Sequence, residues 1–325
     1  MRRQKRRDNG NKNFMIVMAL LTTLIIVGGL LVVRQLVATQ QRQDDLASLK
    51  KARVKAAASR SRLVERQRAS IARSKQKTAE SEKPSTPSGQ SHLATASAYA
   101  YPVAQVKQEM TEPNTSNIKE KVVFLTFDDG PNTVNSPRVL NILNQEGVHG
   151  TFFVVGRQLS PATVPVLKAI YDAGNSIGLH SMTHNYNVLY PGRVGATAAI
   201  VHEAKLEQTM VKQALGPDFV THLWRYPGGH FSWKGLADAD KGLARLGLDW
   251  IDWNAAVGDA LSQAQEPKTE AAMLQYHLRS LAVYPTSQVR VVLMHDALGK
   301  DLTVQTLPKI IAYYRDNGYK FGVLE

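Results

Sequence analysis

Residues 124–132 read FLTFDDGPN: a run of strand-forming residues ends on two adjacent carboxylates, Asp128 and Asp129, followed by Gly-Pro. Like charges at that range repel, and one is driven toward its neutral form unless a cation sits beside the pair. Either both side chains face water in a turn, for which Asp and Gly are suited, or one of them holds a cation. Further along, His180 and His184 open and close the stretch HSMTH. Two histidines four apart can face the same way on a helical turn. With one carboxylate they make the three-ligand set of a hydrolytic metal site, which keeps a further position open. An HxxxH pair alone is a weak signal in a chain that also carries His149, His202, His222 and His277, and these four read as ordinary surface or core histidines. Other polar residues follow apolar runs in the same way: Arg225 opens RYPGG after HLW, Asp252 and Asp259 lie in IDWNAAVGDA, and His295 and Asp296 end VRVVLMHD. If Asp129 is a ligand, Asp128 can stay ionised beside it and take a proton from water, as a general base within hydrogen-bond reach must.

The elements that position these residues can be read from periodicity. Short apolar runs at 122–127, 151–155, 176–179, 222–224, 249–252, 289–294 and 320–323 read as strands. Helix-like segments near 136–146, 161–173, 195–215, 233–246, 269–282 and 303–317 separate them. Strand–helix alternation predicts a parallel sheet. About seven strands favour a (β/α) barrel, in which the strand ends converge on one rim and build the active site. The DDG, HSMTH, RYPGG, GDA and LMHD residues all fall at such ends.

TFDDGP, HSMTH, RYPGG and LMHD, in that order and spacing, resemble the motifs of the polysaccharide deacetylase family, also called the NodB-homology or carbohydrate esterase family 4 domain. The resemblance spans roughly residues 121–325. It implies an α/β fold, a distorted (β/α) barrel, and metal-dependent removal of acetyl groups from N-acetylated sugars. By the same resemblance Asp128 is the catalytic base, and Asp129, His180 and His184 hold one divalent metal, usually zinc, with cobalt as an alternative. Arg225 orients the base, and His295 protonates the leaving amine. The aspartate supporting His295 is placed at Asp259 rather than Asp252, although Ala260 then stands where the family often has tryptophan. Gly228 stands where the family often has tyrosine, and only its backbone N–H is needed there to bind an oxyanion. Trp224, Tyr226, His230, Trp233 and Trp253 are candidates for stacking on sugar, each weighed against simple core packing; Tyr226 and Trp253 are the two placed in the substrate site.

Composition locates the domain within the chain. Residues 1–106 carry 20 Lys and Arg against 6 Asp and Glu, whereas residues 107–325 carry 20 against 21. The basicity therefore belongs to an N-terminal arm, which argues against a nucleic-acid-binding face on the folded domain. The chain has no cysteine, which excludes disulfides and thiolate metal sites. Residues 1–13 form a basic tail, and residues 14–33 are an uncharged apolar stretch of 20 residues. At about 1.5 Å per residue such a stretch spans a bilayer as one transmembrane helix. The tail would then lie in the cytoplasm and the rest outside. Residues 34–83, rich in Ala, Gln, Lys, Arg and Glu, read as a basic stalk, either helical or disordered, that anionic wall polymers could attract. Residues 84–106 read as a flexible linker and 107–325 as the catalytic domain. The expectation is a membrane-anchored deacetylase acting outside the cell on peptidoglycan N-acetylglucosamine. Another glycan (chitin oligomers, poly-N-acetylglucosamine, N-acetylmuramic acid or acetylxylan) or a non-catalytic glycan-binding role stands as the alternative.

Overall fold

A computed structural model describes residues 90–113, 115–284 and 287–325. They belong to one unit, Thr86–Glu325. Nine strands occur among them: β1 (Ala100–Tyr101), β2 (Val122–Asp128), β3 (Thr151–Val154), β4 (Ser176–Leu179), β5 (Leu223–Trp224), β6 (Asp249–Trp250), β7 (Ala255–Ala256), β8 (Val289–His295) and β9 (Lys320–Leu324). The helices are α1 (Val103–Thr111), α2 (Asn135–Glu146), α3 (Val164–Asp172), α4 (Tyr186–Leu189), α5 (Thr197–Leu215), α6 (Ala237–Arg245), α7 (Glu270–Leu281) and α8 (Asp301–Asp316). Every strand pairing is parallel.

β2 is the axis of the fold. One edge pairs with β8 along all seven residues, so that Asp128 lies opposite His295. The other edge is divided: β9 takes Val122–Phe124, and β3 takes Thr126–Asp128. From β3 the sheet runs through β4 and β5 to β6, while β7 joins the far edge of β8. The connection between β6 and β7 closes the distorted barrel. Ile251 N–H bonds the Trp224 carbonyl on β5, and Asn254 N–H bonds the Val291 carbonyl on β8.

Side chains of a strand alternate between faces, and β2 shows what this does here. Val123, Leu125 and Phe127 join the large core beneath the helices. Val122 and Phe124 join a second core with Phe153, Leu223, Ile251, Val289 and Val291, inside the barrel. Thr126 and Asp128 continue that inner row toward the strand end. A strand buried on both faces reads as a continuous apolar run, and all seven residues of β2 are buried.

The seven expected strands all form, within a residue or two of the expected bounds. The strand expected at 249–252 is shorter because its partner β5 ends at Trp224, and Asp252 beyond it accepts the N–H groups of His230 and Phe231. Four elements went unseen: β1 and β7, of two residues each, the single turn α4, and α1, which lies at the edge of the expected linker. The larger correction concerns residues 90–106, expected as linker. Ser91 and His92 are each 1% exposed, β1 pairs with β9, and Val103 and Val106 of α1 enter the inner core. This segment closes the barrel end opposite the site, so the domain begins before residue 107. Among the described residues no helix is long and apolar enough to cross a membrane. The apolar stretch 14–33, the stalk 34–83 and the start of the linker lie outside them.

A chain starting at 107 loses β1 and two buried valines, each contributing about 1.5–3 kcal/mol. Its thermal midpoint should fall by about 10 °C or more relative to a chain starting at 86. Equal midpoints in calorimetry would return 90–106 to the linker.

Candidate active site

Arg225, fully buried, follows β5 and reaches across the barrel. Its Nη1 donates to Asp128 Oδ1 at 2.8 Å and to Thr126 Oγ1 at 2.7 Å, its Nε to the Ile251 carbonyl at 3.1 Å, and its Nη2 to the Asp252 carbonyl at 3.3 Å. The guanidinium lies 4.0 Å from the centre of the Phe153 ring. Burial pushes the Asp128 carboxyl up and the Arg225 charge only partly pulls it back, leaving the net direction upward. That is the tuning a general base near neutral pH requires.

Asp129 leaves the strand with φ 76°, and Ser181 and His184 take φ 71° and 53°. Non-glycine residues rarely occupy this region, and such residues gather at functional sites. The turn brings Asp129 Oδ1 to 3.3 Å from His184 Nε2 and 3.6 Å from His180 Nε2. One ligand atom from each of the three lies within 4.8 Å of the others. His180 Nδ1 donates to the Arg225 carbonyl at 2.8 Å, which turns the bare Nε2 toward the cluster. Burial holds this ring neutral, with a pKa of about 3. Asp129 Oδ1 is buried and has no hydrogen-bond partner among the described residues. An orphaned carboxylate oxygen facing two imidazole nitrogens suits a divalent cation, so the expected ligand set fits.

The loop carrying the histidines is held from behind by α5. Glu207 Oε1 accepts the His180 N–H at 3.1 Å, and Glu203 accepts the Thr183 N–H at 3.0 Å and its hydroxyl at 2.6 Å. Sequence reasoning passed over both. The available signal was spacing: they fall on the buried stripe of Ile200, Ala204 and Val211, where a carboxylate needs a partner. Asp296, noted at its strand end, was given no role. It is fully buried, is bonded by the Ser136 hydroxyl, and occupies the space where a side chain on Gly130 would go. Burial pushes its carboxyl up to about 7.

On the other side of Asp128 stands His295. Its Nδ1 lies 3.0 Å from Asp259 Oδ1, its backbone N–H donates to Asp259 Oδ2 at 2.9 Å, and Thr303 Oγ1 donates to the same oxygen at 2.8 Å. Burial opposes charge on the ring, but the Asp259 carboxylate outweighs it and lifts the His295 pKa to about 9. His295 thus pairs with Asp259 and not with Asp252. Asp252 instead accepts the N–H groups of His230 and Phe231, at 2.8 and 3.2 Å.

A groove of about 430 Å³ joins Asp128, Asp129, His180, His184, Asp259 and His295. Trp253 and Gly228 line it as expected, with Ala256, Ala260, Tyr186 and Tyr276. Tyr226 does not. It is fully buried and donates to Asp240 at 2.7 Å, because the inward turn of Arg225 sends the next residue outward into the helix layer. Trp224 is likewise core, His230 stacks on Trp250 at 3.7 Å, and Trp233 backs the groove wall by stacking on Tyr190 at 4.1 Å. His149 stacks on Tyr99, His222 bonds the Gly247 carbonyl, His277 is buried beside the Ala256 carbonyl, and His202 is exposed.

A parallel barrel that gathers a His₂–carboxylate cluster, a buried carboxylate and a carboxylate-paired histidine at one rim has the groups of a hydrolase site, with a cluster suited to a metal ion. The comparisons narrow the class. The polysaccharide deacetylase family model matches residues 115–248. A putative polysaccharide deacetylase, YheN, of Bacillus subtilis (strain 168) is 30% identical over 210 residues, 64% of this chain and 69% of the relative. A peptidoglycan-N-acetylglucosamine deacetylase of Bacillus cereus is 30% identical over 219 residues, 67% of this chain and 74% of the relative. The structure of a Streptococcus mutans CE4 esterase superposes with a TM-score of 0.71 at 44% identity, covering 75% of this chain and all of that one. The chain belongs to the polysaccharide deacetylase family. Asp259 and His295 lie beyond the residues the family model matches, so the fold itself brings them to the site.

Replacing Asp128 by Asn should lower turnover at least about 100-fold while metal stays bound. His184→Ala should lose both, as metal analysis of the two purified variants will show. Equal metal loss in the two would exchange the roles of the adjacent aspartates. If His295 acts in its charged form, activity falls as pH rises through its pKa. Asp259→Asn removes the charge that raises this pKa, so the alkaline limb of the pH–rate profile should move to lower pH by roughly one unit or more. An unmoved limb would detach His295 from that limb.

Proposed function

We propose that this protein is a zinc-dependent deacetylase of N-acetylglucosamine residues in cell-wall peptidoglycan, anchored in the membrane by residues 14–33 with its catalytic domain outside. The observation that carries the chemistry is the β2–β8 register, which sets Asp128 beside His295 with the His180–His184–Asp129 cluster adjoining. A zinc ion held by those three residues would supply Lewis acidity to the acetyl carbonyl and favour ionisation of a nearby water. Asp128 takes the proton of the attacking water, and the oxygen adds to the carbonyl carbon. The Gly228 N–H, which has no acceptor among the described residues, is free to bond the resulting oxyanion. His295 then gives its proton to the amide nitrogen as the C–N bond breaks, because an amide nitrogen does not leave as an anion. Acetate and a free amino sugar remain.

The two His and one carboxylate suit zinc, with cobalt as a working substitute. The substrate reading is supported by the name of the Bacillus cereus relative and by the apolar stretch 14–33, read as an anchor that would hold the domain outside the membrane. The excess of Lys and Arg in residues 34–83 would draw the arm toward anionic wall polymers, an attraction salt screens. Full-length protein added to purified peptidoglycan should release acetate, and mass spectrometry of the muropeptides should place the loss on glucosamine. Chelation should stop the reaction and zinc restore it. The protein should sediment with membranes that have been washed in high salt. Loss of acetyl from muramic residues only would change the substrate, undiminished activity after chelation would remove the metal, and a soluble protein would remove the anchor.

A further inference from the structure

Tyr186 opens α4 two residues after the ligand His184 and is 42% exposed. Its ring is nevertheless held. It meets Trp233 edge-on at 5.0 Å, lies 6.0 Å from Tyr190 and sits 5.3 Å from the His184 ring. Trp233 is itself fixed, stacked on Tyr190 and donating from Nε1 to the Pro227 carbonyl at 2.8 Å. The result is a braced aromatic surface, half open to the groove beside the metal-ligand cluster.

Gly228 explains how the tyrosine reaches that place. Its φ of 79° and missing side chain leave a gap, and a Cβ there would stand 3.1 Å from the Tyr186 hydroxyl and 3.2 Å from Trp233. The phenol from the histidine loop fills space that a side chain on the arginine loop would otherwise take. Two donors consequently share one wall, the Tyr186 O–H and the Gly228 N–H, and neither has an acceptor among the described residues. Both line the groove that holds Asp128, Asp129 and the two histidines. Unused donors on rigid supports are what a developing oxyanion requires. A braced ring beside them offers the apolar C–H face of a pyranose a surface of matching shape.

We propose that Tyr186 is a substrate-contact residue of this enzyme, its ring stacking on the sugar that carries the acetyl group and its hydroxyl donating to the acetyl oxygen beside the Gly228 N–H. The sugar part of this inference rests on the function proposed above. The test compares zinc-loaded full-length wild type, Tyr186→Phe and Tyr186→Ala on soluble N-acetylglucosamine oligomers. The Phe variant keeps the ring, so KM should stay within about twofold while kcat falls about tenfold. The Ala variant should raise KM about tenfold as well. Zinc affinity by calorimetry should be the same in all three. A Phe variant with wild-type kcat would overturn the hydroxyl's role, and an Ala variant with wild-type KM would overturn the stacking. Weaker zinc binding in either would show that the residue acts through His184 instead. If wild type releases no acetate from these oligomers, the substrate reading fails on its own. Titration with acetate still decides the inference: weaker binding to the Phe variant supports it, and equal binding defeats it.

Discussion

Arg225 is the residue on which the arrangement depends. Its guanidinium, fully buried, ties the inner row of β2 to the segment that closes the barrel, through Thr126 and Asp128 on one side and the Ile251 and Asp252 carbonyls on the other. Its own carbonyl fixes the His180 ring. One side chain and one peptide thus set the charge state of the base, the orientation of a ligand and the closure of the barrel. A buried ion pair is a poor source of stability, yet removing one partner strands the other at a cost of about 3–5 kcal/mol. The pair is better understood as the means of holding Asp128 ionised inside protein.

The site divides its titrating groups by their environments. Asp128 and His295 end neighbouring strands in register, but one is paired to a guanidinium and the other to a carboxylate. The first arrangement suits a proton acceptor and the second a proton donor. Near-neutral pH then finds His295 charged, with its pKa lifted to about 9, while burial keeps His180 neutral. Asp128, His295 and His180 thus acquire three different tasks from burial and from the sign of the nearest charge.

Behind this layer stands another set of carboxylates that touch loops rather than the groove. Glu203 and Glu207 hold the 180–183 backbone, Asp252 holds the 230–231 backbone, and Asp296 braces the Gly130 turn. A loop buried near a site has N–H groups that no ladder satisfies. Here carboxylates on a helix and at strand ends accept them, and strained residues such as Asp129, Ser181 and His184 can persist because their surroundings are fixed.

The sequence by itself determined the order of seven strands and six helices, their parallel arrangement, and the identities of Asp128, Asp129, His180, His184, Arg225 and His295 as groups falling at strand ends. It could do so because apolar periodicity and residue type are local properties. The tertiary structure alone decided between Asp259 and Asp252, since the two differ only in what lies across the barrel from them. It moved Tyr226 from groove to core and admitted Tyr186, because the direction of a side chain beyond a strand end follows from backbone turns that carry no period. It also reclaimed residues 90–106 from the linker. Their Ser, Thr, Pro and Ala content resembles a spacer, and the partners that order them, β9 and the inner core, lie more than two hundred residues away or across the sheet. Which polar residue meets which is set by packing between distant segments, and no local pattern encodes it.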